Sequence, residues 1–368
     1  MNSAYQEMKK MIKALILEES VSSDEFFERA KQLFAYQYHH NQPYRKFCRR
    51  RRVRPAAVQR VTDIPPIPIQ AFKEAPLLCS ADEEIERTFM TSGTTNPNKR
   101  GKNGQRDLEI YDLSTKVHFK KSMLPDVSKM KMILLFPEEN ELPNSSLAHY
   151  LHVIKETFGA EDSEYVVSAD GFDKERLSML LKKSEEKDEP VFILGATFSI
   201  IAYLDECVEN GISYRLPAGS RIMDTGGSKG YSREIEPLEL KKRLSRLFSI
   251  PEHACGNMYG MTELSSQIYD QTLRLGGRKG LKRPPHWLKT IIVDPETLQE
   301  KREGEAGIIV HYDLANINSV AAIMTEDIGK KEGDGFHLLG RAAGTEAKGC
   351  SLALEEFLSS RLGEDGSL

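Results

Sequence analysis

Residues 89–102 read Phe89-Met90-Thr91-Ser92-Gly93-Thr94-Thr95-Asn96-Pro97-Asn98-Lys99-Arg100-Gly101-Lys102. Hydroxyl side chains crowd around one glycine, and a proline and three cations follow. Backbone N–H groups and hydroxyl donors at close quarters, beside Lys and Arg, suit a polyphosphate, whose oxygens take many hydrogen bonds and whose charge must be offset. The order is not G-x-x-x-x-G-K-[ST], so this is not a Walker A loop. By itself the segment reads equally as a polar surface turn. A second segment, Asn257-Met258-Tyr259-Gly260-Met261-Thr262-Glu263-Leu264, sets an aromatic ring, a glycine, a hydroxyl and a carboxylate side by side. A third runs Thr325-Glu326-Asp327-Ile328-Gly329, followed by Asp334-Gly335-Phe336-His337-Leu338-Leu339-Gly340-Arg341.

The elements that must position these segments follow from periodicity. Met8, Met11, Ile12, Leu15 and Ile16 mark one face of a helix. Ser22 with Glu25 is a capping-box signature opening a second helix that carries Phe26, Phe27, Ala30, Leu33 and Phe34. The basic run RKFCRRRRVR (45–54) is a solvated connector or an anionic-partner site, and DIPPIPIQAFK (63–73) is an extended entry into the next unit. Apolar runs of strand length at 131–136, 165–167, 191–196, 221–224, 290–293 and 307–312 alternate with helical stretches at 146–158, 173–186, 199–210 and 237–248. This alternation predicts an α/β fold with largely parallel sheets and helices on both faces.

Composition sets the outer bounds. The 368 residues carry a net charge of −4 and are 39 % hydrophobic, which excludes a disordered chain and argues against a dedicated nucleic-acid binder. No apolar run approaches the ~20 residues of a membrane span. Five scattered cysteines and the lack of a secretory leader point to a reducing, cytoplasmic setting.

Taken in order, the three segments resemble the signature motifs of the adenylate-forming superfamily, which includes acyl- and aryl-CoA ligases and luciferases. The resemblance implies an adenylation domain over 63–341, with mixed and parallel sheets flanked by helices, preceded by a helical segment (1–62) and followed by a short tail (342–368). It implies ATP and Mg²⁺. The loop of Thr91, Ser92, Gly93, Thr94, Thr95 and Lys99 would cradle the β- and γ-phosphates. Tyr259, with Gly260, would pack on the adenine, Thr262 would bond an α-phosphate oxygen, and Glu263 would hold Mg²⁺. Asp327 would accept from the ribose hydroxyls, with Arg341 nearby. Asn96 and Glu326 stand where the superfamily has glycine. A substrate carboxylate is already ionised at neutral pH and needs no general base to attack the α-phosphorus, so positioning and charge stabilisation carry the chemistry.

Typical superfamily ligases continue past the Gly-Arg pair for about a hundred residues, the size of a small domain that supplies a catalytic lysine. Here AAGTEAKGCSLALEEFLSSRLGEDGSL follows, so that domain is expected to be reduced to the tail, with Lys229 in the TGGSK turn as substitute cation. The tail, together with PPIPIQAFK (65–73), DTGGSKGYSRE (224–234) and PEHACGNMYGMTELSSQIYD (251–270), resembles the acyl-protein synthetase (LuxE-like) family. That resemblance implies activation of a carboxylic acid, a fatty acid above all, and its transfer to Cys350, then to a reductase partner. Gly349-Cys350-Ser351 is read as the approach to a helix, where the dipole favours the thiolate and Glu355 and Glu356 oppose it. The segment 195–203, GATFSIIAY, is expected to line the acid pocket in part. A CoA ligase akin to phenylacetate-CoA ligase, a carrier-loading adenylase and a non-catalytic nucleotide-binding protein are the alternatives. His149 and His152 read as polar helix residues, His253 and Cys255 as packing or pocket lining, and Trp287 as the edge of a partner surface.

Overall fold

The computed structural model describes residues 2–92, 99–226, 235–270, 273, 280–342 and 345–362; the side chains of 2, 345–350 and 361–362 lie outside that description. Its contacts divide into two compact units. One comprises Met1–Ser114, Met261–Ser266 and Pro284–Leu368, and the other Thr115–Gly260 and Gln267–Arg283.

The chain opens with α1 (Asn2–Leu17), α2 (Ser23–His40) and α3 (Gln42–Arg50). Ile12, Leu15 and Ile16 are fully buried, as their spacing predicts. The capping box forms in both directions: Ser22 accepts from the Glu25 N–H, and the Glu25 carboxylate accepts from the Ser22 N–H. The proline-rich segment provides the short strand β1 (Ile67–Pro68) and then a 3₁₀ turn over Ile69–Lys73. Strands β2 (Arg87–Met90) and β3 (Lys102–Gln105) pair antiparallel, with Met90 opposite Lys102, so the loop between them closes on itself.

Helix α4 (Glu109–Met123) leads into the second unit. Its sheet contains β4 (Lys131–Leu135), β5 (Glu164–Tyr165), β6 (Val191–Ala196), β7 (Arg221–Thr225), β8 (Cys255–Tyr259) and β9 (Ile268–Tyr269), in the order β9-β8-β7-β6-β4-β5. All neighbours are parallel except β8 and β9. Alternate residues of β4 face opposite sides. Ile133 and Leu135 join a core with α6 (Lys174–Lys187), α7 (Thr197–Glu209) and α8 (Pro237–Phe248); Met132 and Leu134 join another with α4 and α5 (Ser146–Phe158). β4 is therefore apolar on both faces, which is why its run reads as continuous in the sequence. A Cβ on Gly195 would lie 2.6 Å from the Leu135 Cβ and 2.8 Å from its carbonyl oxygen, so the β4–β6 spacing requires glycine there.

The chain then returns to the first unit as β10 (Leu288–Val293), β11 (Ala306–Asp313), β12 (Ala322–Glu332) and β13 (Gly335–Arg341), each antiparallel to the next. β1 adds parallel to β12. Here the strands pair antiparallel where the alternation predicts largely parallel ones, in keeping with the mixed sheets that the resemblance implies: no helix lies in 294–305, 314–321 or 333–334 to carry a crossover back to a parallel start. The last helix, α9 (Thr345–Leu362), packs on α3, β1 and β12.

Candidate active site

The loop that reads as a phosphate cradle is anchored where β2 ends and β3 begins. Thr91 donates its N–H to the Gly101 carbonyl at 3.0 Å, and Gly101 returns its N–H to the Thr91 hydroxyl at 2.9 Å. A Cβ on Gly101 would lie 3.1 Å from the Glu263 Oε1 and 3.1 Å from the Thr91 Cγ2. A hydroxyl residue at one end of the loop, the glycine at its other end and a buried carboxylate (Glu263, 2 % exposed) therefore share one spot. Ser92 is exposed. Lys99 is half-exposed and pairs with Glu74 at 2.6 Å. Gly93, Thr94 and Thr95 lie outside the described residues, as does Lys229.

Thr262 and Glu263 are gripped through their backbone. The Asn103 amide donates to the Thr262 carbonyl at 3.0 Å, and the Asn316 amide donates to the Glu263 carbonyl at 2.9 Å. Just beyond, Asp313 accepts from the Ser265 N–H at 2.9 Å and from the Ser266 hydroxyl at 2.7 Å. Ser114 donates to the Ser265 carbonyl at 2.9 Å. Trp287, 1 % exposed, donates its indole N–H to the Ser266 hydroxyl at 3.0 Å. Trp287 is thus an interior support for this segment and not the edge of a partner surface. Burial pushes the Asp313 carboxyl up to about 6 against four hydrogen bonds that lower it. Apart from Trp287, none of these supports was singled out from the sequence, although polar residues in 313–319, directly after the apolar run of β11, are a signal that a buried network sits there.

Asp327 and Arg341 are register partners across β12 and β13, with Arg341 Nε 3.7 Å from Asp327 Oδ1. A bulge makes this pairing: Gly340 opposes Ile328 and Leu338 opposes Gly329, leaving Leu339 without a partner strand residue. Gly340 takes φ +131°, which favours glycine. The Asp327 N–H donates to Thr325 Oγ1 at 3.0 Å, and that hydroxyl donates to the Ile309 carbonyl at 2.9 Å. Glu326 accepts from the Gln70 amide and lies 3.6 Å from Arg341.

Tyr259 is the last residue of β8, buried and opposite Ile268, and Gly260 follows it, exposed. At the carboxyl ends of β6, β7 and β8, where parallel sheets place their ligands, lies a second buried polar network. Thr197 donates to Asp224 at 2.7 Å, the Asn257 amide donates to Asp224 at 2.8 Å, and Lys282 donates to the Asn257 carbonyl at 2.9 Å. Burial pushes the Asp224 carboxyl up and the Lys282 ammonium down. From 195–203, Ile200, Ile201 and Tyr203 are packed into the core with α6 and α8.

Cys350 lies six residues into α9, in its second turn and not at its start. The dipole argument for its thiolate weakens accordingly, since the effect falls off beyond the first turn. The Cys350 side chain is outside the described residues. His149 is buried and bonds Glu139 at 2.7 Å, and Cys255 is buried. Among the described residues no cluster of three or more His, Cys, Asp or Glu side chains can hold a metal, and no helix is long and apolar enough to cross a membrane.

The fold is shared with CoA ligases of solved structure. A 2-hydroxyisobutyryl-CoA ligase in its postadenylation state aligns with a TM-score of 0.65 at 13 % identity, covering 87 % of this chain and 67 % of that one. The chain belongs to the acyl-protein synthetase family, LuxE, which it matches over residues 8–359. Two relatives bear the name long-chain-fatty-acid–luciferin-component ligase. The one from Vibrio harveyi is 23 % identical over 343 residues (90 % of this chain, 87 % of the relative). The one from Aliivibrio fischeri is 22 % identical over 348 residues (90 % and 88 %).

Proposed function

We propose that the protein uses ATP to activate a fatty acid as its acyl-adenylate, transfers the acyl group to its own Cys350, and so supplies a reductase. The observation that carries the adenylation step is the meeting of Thr91, Gly101 and Glu263. A buried carboxylate beside a glycine, at the closure of a hydroxyl-rich loop, suits a phosphate chain carrying a divalent cation. The names of the relatives support a fatty acid as substrate.

In this reading Thr91, Ser92, Gly93, Thr94, Thr95 and Lys99 bind the β- and γ-phosphates, and Lys99 exchanges its Glu74 partner for phosphate. Thr262 orients an α-phosphate oxygen, held by the Asn103 grip on its carbonyl. Tyr259 and Gly260 take the adenine, and Asp327 accepts from the ribose hydroxyls with Arg341 beside it. Glu263 holds Mg²⁺, which when bound neutralises charge on the departing pyrophosphate. Lys229 supplies a cation near the α-phosphate. The acid's carboxylate attacks the α-phosphorus in line, so the residues' task is to orient it and offset charge. The Cys350 thiolate then attacks the acyl carbonyl and AMP leaves. We place the protein in the cytoplasm, where thiols stay reduced.

The test is incubation with ATP, Mg²⁺ and a panel of straight-chain and aryl acids, read by pyrophosphate exchange and by intact-mass and peptide analysis. A hydroxylamine-labile adduct on the peptide containing Cys350, lost in Cys350→Ser, is the expected result. Exchange followed by release of acyl-CoA, with no protein adduct, overturns the self-acylation step; no exchange with any acid overturns the whole reading.

A further inference from the structure

Arg51, in the basic run that begins within α3, reaches the last helix. The Arg51 guanidinium forks onto Glu356 of α9, with Nε 3.0 Å from Oε1 and Nη2 2.7 Å from Oε2. The same guanidinium lies 4.6 Å from the centre of the Phe47 ring, and Phe47 meets Phe357 edge-on at 6.0 Å. Phe47 and Phe357 are fully buried, and Ala353, one turn earlier on α9, is 4 % exposed. Arg51, Phe47, Phe357 and Glu356 thus form a closed circuit of contacts between α3 and α9. Neighbouring cations are engaged within α2 and α3: Arg45 donates to the His39 carbonyl at 3.1 Å and Arg49 to the Tyr38 hydroxyl at 3.4 Å.

We infer that Arg51, through its fork on Glu356, is a positioning residue for acyl transfer: it holds α9 so that Cys350, two turns before Phe357, stands where the adenylate can be reached. The inference rests on the reading of Cys350 as the acceptor. Two helical turns form a stiff rod of about 10 Å, so holding residues 353–357 holds the backbone at 350. A partly buried bidentate Arg–carboxylate pair fixes direction as well as distance, unlike an exposed pair. Packing of α9 on α3, β1 and β12 holds it near, and the fork adds a bond with a fixed direction. The step served is balanced: the Cys350 Sγ–C bond forms, the bond from the acyl carbon to the AMP phosphate oxygen breaks, AMP departs with the electron pair, and the thiol proton passes to solvent.

The experiment compares Arg51→Met, which keeps apolar bulk over Phe47, Glu356→Gln and the exchanged pair Arg51→Glu/Glu356→Arg in the full chain. One assay is acid-dependent pyrophosphate exchange with straight-chain fatty acids; the other is single-turnover acylation of the protein. Exchange stays within about twofold of wild type, while single-turnover acylation slows about tenfold in both single variants, the size of effect that misplacing a reacting group produces. The exchanged pair recovers most of the acylation rate, which loss of fold could not do. Acylation at the wild-type rate in Arg51→Met, or exchange falling in step with acylation, or an exchanged pair as slow as the single variants, overturns the inference. Cys350→Ser run alongside separates the two levels. An adduct that persists there overturns the acceptor reading itself, whereas an adduct lost there together with unaffected Arg51→Met acylation overturns only the clamp.

Discussion

Asn103 on β3 donates its side-chain amide to the carbonyl of Thr262 at 3.0 Å, across 159 residues of sequence. The bond ties the strand that closes the hydroxyl-rich loop to the residue expected to orient the α-phosphate. Asn103 is fully buried, so no solvent can replace the donor cheaply. Asn103→Ala is expected to lower the rate of adenylate formation about tenfold, while costing stability only about 1–2 kcal/mol for the stranded carbonyl. Pyrophosphate exchange and urea unfolding measure the two; an unchanged exchange rate would separate this grip from the chemistry.

Glu263 is the sharpest test of the site. Glu263→Gln keeps the shape and the Asn316 bond to its carbonyl and removes only the charge. Exchange is expected to fall by about two orders of magnitude, as loss of a preorganised electrostatic contact does, with circular dichroism unchanged. Titrating Mg²⁺ should show weaker dependence on the metal in the variant. A variant with the wild-type Mg²⁺ response would remove Glu263 from the metal's coordination.

Two glycines distinguish function from folding. In Gly101→Ala the new methyl meets the Glu263 Oε1 and the Thr91 Cγ2 at 3.1 Å, contacts that small side-chain shifts relieve. Stability should change by less than about 1 kcal/mol, within the range of mild overpacking, while exchange drops about tenfold because the shifted groups are those proposed to bind phosphate and metal. In Gly195→Ala the methyl meets Leu135 backbone at 2.8 Å, which cannot move without parting β4 from β6. That variant should lose about 3 kcal/mol or fail to fold. Equal melting temperatures for the two would refute the comparison.

Asp313 makes stability depend on pH in a predictable direction. Burial holds its carboxyl at about 6, above the ordinary value of 3.8. Between those values the native state keeps a proton that the unfolded chain has lost. The stabilisation this provides is full below the unfolded value and is lost as pH rises through 6. Asp313→Asn lacks the ionisation. Relative to the variant, wild type should lose up to about 3 kcal/mol between pH 4 and pH 7.5, the upper bound set by the shift. Parallel denaturant curves across that range check it, and a constant difference would show that Asp313 does not titrate there.

Much of the local structure was legible before any coordinate. The capping box at Ser22 and Glu25 and the run at 191–196 depend on near neighbours, and each formed as its pattern implies. The sense of strand pairing beyond residue 288 was less legible. The runs at 290–293 and 307–312 carry the same apolar signal as the parallel strands, but no crossover helix lies between them and they pair antiparallel.

The amino-acid sequence by itself determined the order of motifs, the helices and strands that carry them, and the family to which the chain belongs. Those properties reside in residue types and short spacings, which survive in any reading of the linear chain. Only the tertiary structure decided that Trp287 supports Ser266 from within, that Arg51 grips Glu356, that Cys350 sits inside a helix, and that Gly101 leaves space beside Glu263. Each of the three contacts joins segments distant in sequence, and which groups meet is set by how the strands cross and pack. The start of α9 depends on where the chain leaves β13, which the apolar stripe alone does not mark.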